Sequence, residues 1–267
     1  MLYNPRLLLF FILLVFTITA RANMNDLIRL QHAYPDHIQH VTPHQIIWSD
    51  GTSMAMHHDM PHKTAVDKLN NPSLYDQVKN MRYIPGIPDH PELFIPMDDP
   101  GRIRYEPFFL KMYGETEQEV AANLVTIYWM PAVFGHNYPL QVTRINQVDQ
   151  KLTKISHELE QLVSKHPEYI PFLENPGGTF QWRYISSTTR LSMHSFGMTI
   201  DINSSASDYW QWELTHVGLP ITEDAPLNYR NSIPWEIVPI FEKYGFIWGG
   251  KWYHYDSMHF EYRPELF

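Results

Sequence analysis

The chain has no cysteine. Disulfides, thiolate nucleophiles and cysteine-ligated zinc or iron–sulfur centres are therefore excluded. Stability must come from a hydrophobic core alone. Any bound metal must be held by His, Asp or Glu, and the chain has 15 His. Its 267 residues, 44% hydrophobic and 18% charged, suit a globular chain with a sizeable core. The formal charge of −9 argues against a general nucleic-acid-binding surface. The 21 prolines predict long irregular connections.

Residues 1–22 read as a secretory signal peptide. Arg6 supplies a short positive region, Leu7 to Ile18 an apolar run, and Ala20-Arg21-Ala22 a small-x-small cleavage site. The run is shorter than the ~20 residues of a standard membrane span. An uncleaved anchor is the alternative. Cleavage near Ala22 removes two arginines and no acid, which leaves the mature chain at −11. The expected location is the bacterial periplasm or exterior, with no stable membrane span after processing. The remainder divides into an extension of unassigned role (23–143) and a domain carrying the chemistry (144–267).

The strongest element signal is Ile145, Val148, Leu152, Ile155, Leu159 and Leu162, spaced by three and four residues. It predicts an amphipathic helix of about five turns with its face in the core. Gln45 to Trp48 predicts a strand entering an Asp50-Gly51 turn. Thr116 to Trp129 also has helical spacing, with Val120, Leu124 and Ile127 on one face. Phe180 to Ile185, Met198 to Ile202 and Phe260 to Tyr262 predict strands. Pro239 implies that a helix after Ser232 kinks or begins late, and Gly245 is a candidate C-cap. Pro85 to Pro100, with five prolines, predicts an irregular stretch. With helices early and short strands late, the expected class is α+β. A small antiparallel sheet would be flanked by helices and preceded by an irregular Pro-rich extension.

Two segments carry chemistry. One is Ser192-Met-His194-Ser-Phe-Gly197-Met-Thr-Ile-Asp201, and the other is Asp256-Ser-Met-His259-Phe-Glu261. Hydrolytic zinc needs three protein ligands and one open position. A turn at Gly197 could bring His194 and Asp201 to one metal, with His259 as third ligand. Asp256, three residues before His259, could reach the metal-bound water as general base. Taken singly, each of these residues has an ordinary alternative: a hydrogen-bonded loop histidine, a turn cap, a half-buried ring among aromatics, a solvated acid. Glu261 reads as a strand residue facing away from the metal.

Together the segments resemble the VanY-like family of zinc D-alanyl-D-alanine carboxypeptidases and L-alanyl-D-glutamate endopeptidases, within the LAS group. Ser192, His194, Gly197, Thr199 and Asp201 fill its first motif, and Asp256 and His259 its second. Ile247-Trp248-Gly249-Gly250-Lys251-Trp252 is similar to a Gly-Gly-x-Trp approach in the endopeptidase branch. The resemblance spans about residues 178–267. It implies one Zn2+ on His194, Asp201 and His259, with Asp256 activating the water and passing its proton to the leaving amine. Many carboxypeptidase members carry Glu at that acid position, so Asp leans toward the endopeptidase branch. It also implies an arginine facing the substrate carbonyl or carboxylate, here Arg183 or, as runner-up, Arg190. Ser192, His254 and Trp252 are candidate substrate contacts.

The implied function is a secreted zinc peptidase cutting peptidoglycan stem peptides at an L-Ala-D-Glu or D,D bond, with peptidoglycan or a muropeptide as partner. A non-catalytic peptidoglycan-binding protein and a zinc peptidase for a non-wall peptide are the rivals. The retained acid at 256 argues against mere binding. His57, His58, Asp59 and His62 read as a solvated polar loop, because Met60-Pro61 breaks the helix that i, i+4 ligation would need.

Overall fold

The computed structural model describes residues 27–57, 63–79, 83–86, 99–186 and 188–267. The leader at 1–22, His58, Asp59 and His62, and most of the Pro85–Pro100 stretch lie outside the described residues. No described helix is long and apolar enough to cross a membrane.

Among the described residues the fold is a mixture of helices and three small antiparallel sheets. A helix at 27–33 leads into the sheet β1 (Ile38–Val41), β2 (Gln45–Trp48) and β3 (Ser53–Ala55), paired in that order. The expected β2 strand is present. Gly51, at φ +83°, makes the turn that joins β2 to β3. Short helices Ala65–Asn70 and Leu74–Lys79 follow, then Glu106–Tyr113.

The stretch expected as one helix over Thr116–Trp129 splits in two. A helix Glu117–Ala121, capped by the Thr116 side chain, stops after one turn. The next residues form β4 (Leu124–Tyr128), which pairs with β5 (Pro139–Thr143). Val125, Thr126 and Ile127 are β-branched, and pairing on an extended partner suits them better than a helix does. The long helix is as expected: Val148–Lys165 buries Val148, Leu152, Ile155, Leu159 and Val163.

Phe180 to Ile185 is extended but joins no sheet among the described residues; its ladder contact there is the Tyr184–Leu191 bridge. Its backbone is satisfied by the neighbouring turn instead. Gln181 N donates to the His194 carbonyl at 3.2 Å, and Arg183 N to Ser195 Oγ at 3.0 Å. The late helix begins at Val238 with Pro239 in its first turn, where a missing N–H costs nothing.

The last sheet carries Asp201 and His259: β6 (Thr199–Asp201), β8 (His259–Tyr262) and β7 (Phe246–Trp248), with β8 central. Phe260 stacks on Phe241 of the helix Val238–Glu242 at 3.8 Å and lies against Trp248. The main buried hydrophobic cluster runs from Leu27 to Leu266, and Trp210, Leu214, Ala225 and Tyr255 form a second, smaller one. Trp129 meets Phe241, Phe109 meets Phe196, and Tyr34 meets Tyr262.

Candidate metal centre

Pairing of β6 with β8 sets Asp201 directly opposite His259. Cross-strand neighbours have Cβ atoms about 4.5–5.5 Å apart, so the two side chains meet. His259 Nδ1 lies 2.8 Å from Asp201 Oδ1. His194 arrives from the tight turn Met193–Phe196, in which its own N–H donates to the Ser192 side chain at the N-cap. Gly197 ends that turn in the left-handed region at φ +63°. A Cβ there would sit 2.6 Å from Leu124 Cδ2, so both conformation and space call for glycine. The turn folds His194 back onto Asp201, with Nε2 at 3.1 Å from Oδ2. One ligand atom from each of His194, Asp201 and His259 lies within 4.8 Å of the others.

The donor set suits a cation. A carbonyl can only accept, so His194 Nδ1, 3.0 Å from the Thr179 carbonyl, carries the proton. His194 Nε2 is buried and has no hydrogen-bond partner among the described residues. It faces a carboxylate oxygen, and two acceptors face each other unless a positive charge lies between them. Burial disfavours charge on His259, but its hydrogen bonds to Asp201 and Glu261 outweigh that and push it up to about 10. Burial pushes Asp201 the other way, yet His194 and His259 hold its carboxyl well below the usual range. The pocket is thus built to keep positive charge beside Asp201.

Glu261 does not face away. Two residues along β8 from His259, it shares that residue's side of the strand. Its Oε2 lies 3.1 Å from His259 Nε2. Arg263 Nη1 donates to its other oxygen at 2.8 Å. Burial raises Glu261, but Arg104, the His259 hydrogen bond and Arg263 hold it at about 2. The strand period could have revealed this neighbour; Arg104, which approaches at 3.5 Å from far back in the chain, left no sequence signal.

Asp256 borders the same cleft as the three ligand candidates. Its Oδ1 is buried without a partner among the described residues. Burial, then the charge of Asp201, pushes it up to about 7, against the opposing pull of His259, Arg104 and Arg183. Such a carboxyl exchanges protons near neutral pH.

The cleft, about 310 Å³, also receives Arg183, Arg190, Ser192, Trp252 and His254. Arg183 is exposed, with Nε donating to Gln181 at 3.2 Å. Arg190 is half-buried, and its Nε has no partner among the described residues. His254 is walled in: Nδ1 is 2.6 Å from Asp99, and Nε2 is 3.0 Å from the Glu223 carbonyl. Trp252 is 4% exposed and packs its ring 5.8 Å from that of His259. Arg102 pairs with both Asp99 and Glu223, fixing this wall.

Residues 186–262 match the family model for D-alanyl-D-alanine carboxypeptidase. This segment is similar to that peptidase family. It holds His194, Asp201, Asp256 and His259, and it covers less than a third of the chain. No curated protein and no solved structure matches the chain.

Proposed function

We propose that the protein is a secreted zinc peptidase that hydrolyses a peptide bond in peptidoglycan stem peptides, at an L-Ala-D-Glu or D,D linkage. The observation that carries this reading is the convergence of His194, Asp201 and His259, whose ligand atoms lie within 4.8 Å of one another, with Asp256 in the same cleft. The carboxypeptidase family match over these residues supports a wall-peptide substrate.

His194, Asp201 and His259 would hold one Zn2+. A cation there acidifies a bound water toward a pKa of about 7 and polarises the scissile carbonyl. Asp256 takes the proton of the attacking water as the carbon–oxygen bond forms. It then gives that proton to the leaving nitrogen as the carbon–nitrogen bond breaks. Arg183, exposed at the cleft rim, offers its guanidinium to the developing oxyanion. Arg190, paired with no carboxylate among the described residues, binds an acceptor on the substrate further along the cleft. Ser192 serves locally as the cap of the His194 turn. His254 and Trp252 act as walls, since the histidine's ring nitrogens are both engaged within the protein.

The test is mass spectrometry of peptidoglycan sacculi digested by the purified mature chain, with zinc and with chelator. Chelator-sensitive fragments are expected, and their masses name the bond. Absence of products from protein that carries bound zinc would overturn the wall-peptide reading.

A further inference from the structure

The turn at 99–104 lies outside the segment that matches the peptidase family, yet its Arg102 and Arg104 line the same cleft as His194, Asp201 and His259. The Gly101 carbonyl accepts from Arg104 Nε and from Arg263 Nη1, each at 3.0 Å. Those two arginines flank Glu261: Arg263 Nη1 reaches one oxygen at 2.8 Å, and Arg104 Nη2 the other at 3.5 Å. Glu261 is fully buried, and its Oε2 faces His259 Nε2.

The approach is close enough to demand glycine. Gly101 sits at φ +103°, and a Cβ there would fall 2.3 Å from Ile247 Cδ1 and 3.2 Å from Glu261 Oε1. The ladder continues beyond the site. Arg263 Nε donates to Glu265 at 2.6 Å, and Glu265 accepts from Tyr34 Oη at 2.6 Å and from Gln77 at 3.2 Å. Alternate residues of the chain end, 259, 261, 263 and 265, thus form one buried polar line whose counter-groups come from residues 34, 77, 101 and 104.

We propose that Arg104, seated on the Gly101 carbonyl and paired with Glu261, is a positioning residue that fixes the orientation of His259 toward the metal. An imidazole that donates one nitrogen's proton to a carboxylate presents its other nitrogen as the ligand. Glu261 can fix that choice only if its own carboxylate is held, and Arg104 and Arg263 hold it from two sides. The segment before residue 143 is therefore a working part of the centre. The inference rests on the metal reading of His194, Asp201 and His259, and does not depend on which peptide is cut.

The test measures zinc affinity of the full chain by competition calorimetry, with the Co2+ visible spectrum as a readout of ligand geometry. Arg104→Gln should raise the zinc dissociation constant by about 10- to 100-fold and alter the Co2+ spectrum, and Arg104→Lys should recover part of both. Leu74→Ala, a fully buried leucine of the same segment, is the control for lost stability alone. Should Arg104→Gln fail to fold, Glu261→Gln, which keeps the volume and drops the charge, is read by the same criterion. An affinity within about twofold of wild type, or an equal loss in Leu74→Ala, would overturn the positioning role. A wild-type chain that binds no divalent metal overturns this and the metal reading together. One that binds metal and cuts no wall peptide overturns only the substrate assignment.

Discussion

At the scale of single residues, the chemistry turns on two carboxylates given opposite characters by their surroundings. Asp201 is held ionised by two imidazoles, whereas Asp256 is pushed up to about 7 by burial and by Asp201. Asp256→Asn is expected to keep the metal and lower kcat by about 10²- to 10⁴-fold, the usual worth of a general base. Metal analysis alongside turnover checks this; a metal-free or fully active variant would remove Asp256 from the role. The pH dependence has a definite sign. A base must be deprotonated, so kcat/KM should fall as the pH drops through the Asp256 pKa. A bound cation opposes the raising effects, so the acid limb should lie between the ordinary carboxylate range and about 7, and should be missing in Asp256→Asn. His259→Ala should lose both metal and activity, because it removes one of three ligands; unchanged zinc content would exclude it from the set.

At the scale of elements, legibility followed the range of the interactions. The helix Val148–Lys165 was readable because its apolar spacing is local and long. The ligand candidates were picked out because the two segments together resemble a known pair of motifs; the spacing of either segment alone left ordinary alternatives open. Thr116–Trp129 misled because Val120, Leu124 and Ile127 fit a helical face by coincidence. What decides that stretch is β5, which pairs with Leu124–Tyr128. Glu261 was misplaced because its strand was recognised but its face was not; pairing Thr199 with Glu261 and Asp201 with His259 settles it. His194 is delivered by the Met193–Phe196 turn and not by a strand, and the glycine that ends this turn is testable. Gly197→Ala combines left-handed backbone with a 2.6 Å approach to Leu124, whereas Gly51→Ala has the same backbone demand and nothing within 4 Å. Left-handed backbone costs an L-residue about 1–2 kcal/mol, so both variants should lose about that much. Gly197→Ala should lose roughly 1 kcal/mol more through overpacking, read as a lower urea midpoint. Equal losses would mean that Leu124 yields without cost.

At the scale of the whole molecule, the question is whether residues 144–267 are an independent unit, as their share of the motifs suggests. The contacts argue for dependence. Thr143 N donates to the Gly197 carbonyl at 2.9 Å, Phe109 lies against Phe196, and Trp129 against Phe241. Buried Arg263 and Glu265 take partners from Gly101, Tyr34 and Gln77. Cutting before residue 144 would strip those partners from the buried charges and bare a broad apolar surface. The cut also takes Arg104 from buried Glu261, and removing one side of a buried ion pair alone costs about 3–5 kcal/mol, a large part of the roughly 5–15 kcal/mol that stabilises a typical domain. We therefore expect the chain from residue 23 onward to unfold in one transition, with near-UV and far-UV circular dichroism coincident. The fragment 144–267 should show no cooperative transition and should bind a hydrophobic dye. A fragment that unfolds cooperatively and binds zinc as tightly as the longer chain would make the preceding segment dispensable to both fold and centre. That segment's place in the core, rather than any motif within it, is what ties it to the chemistry.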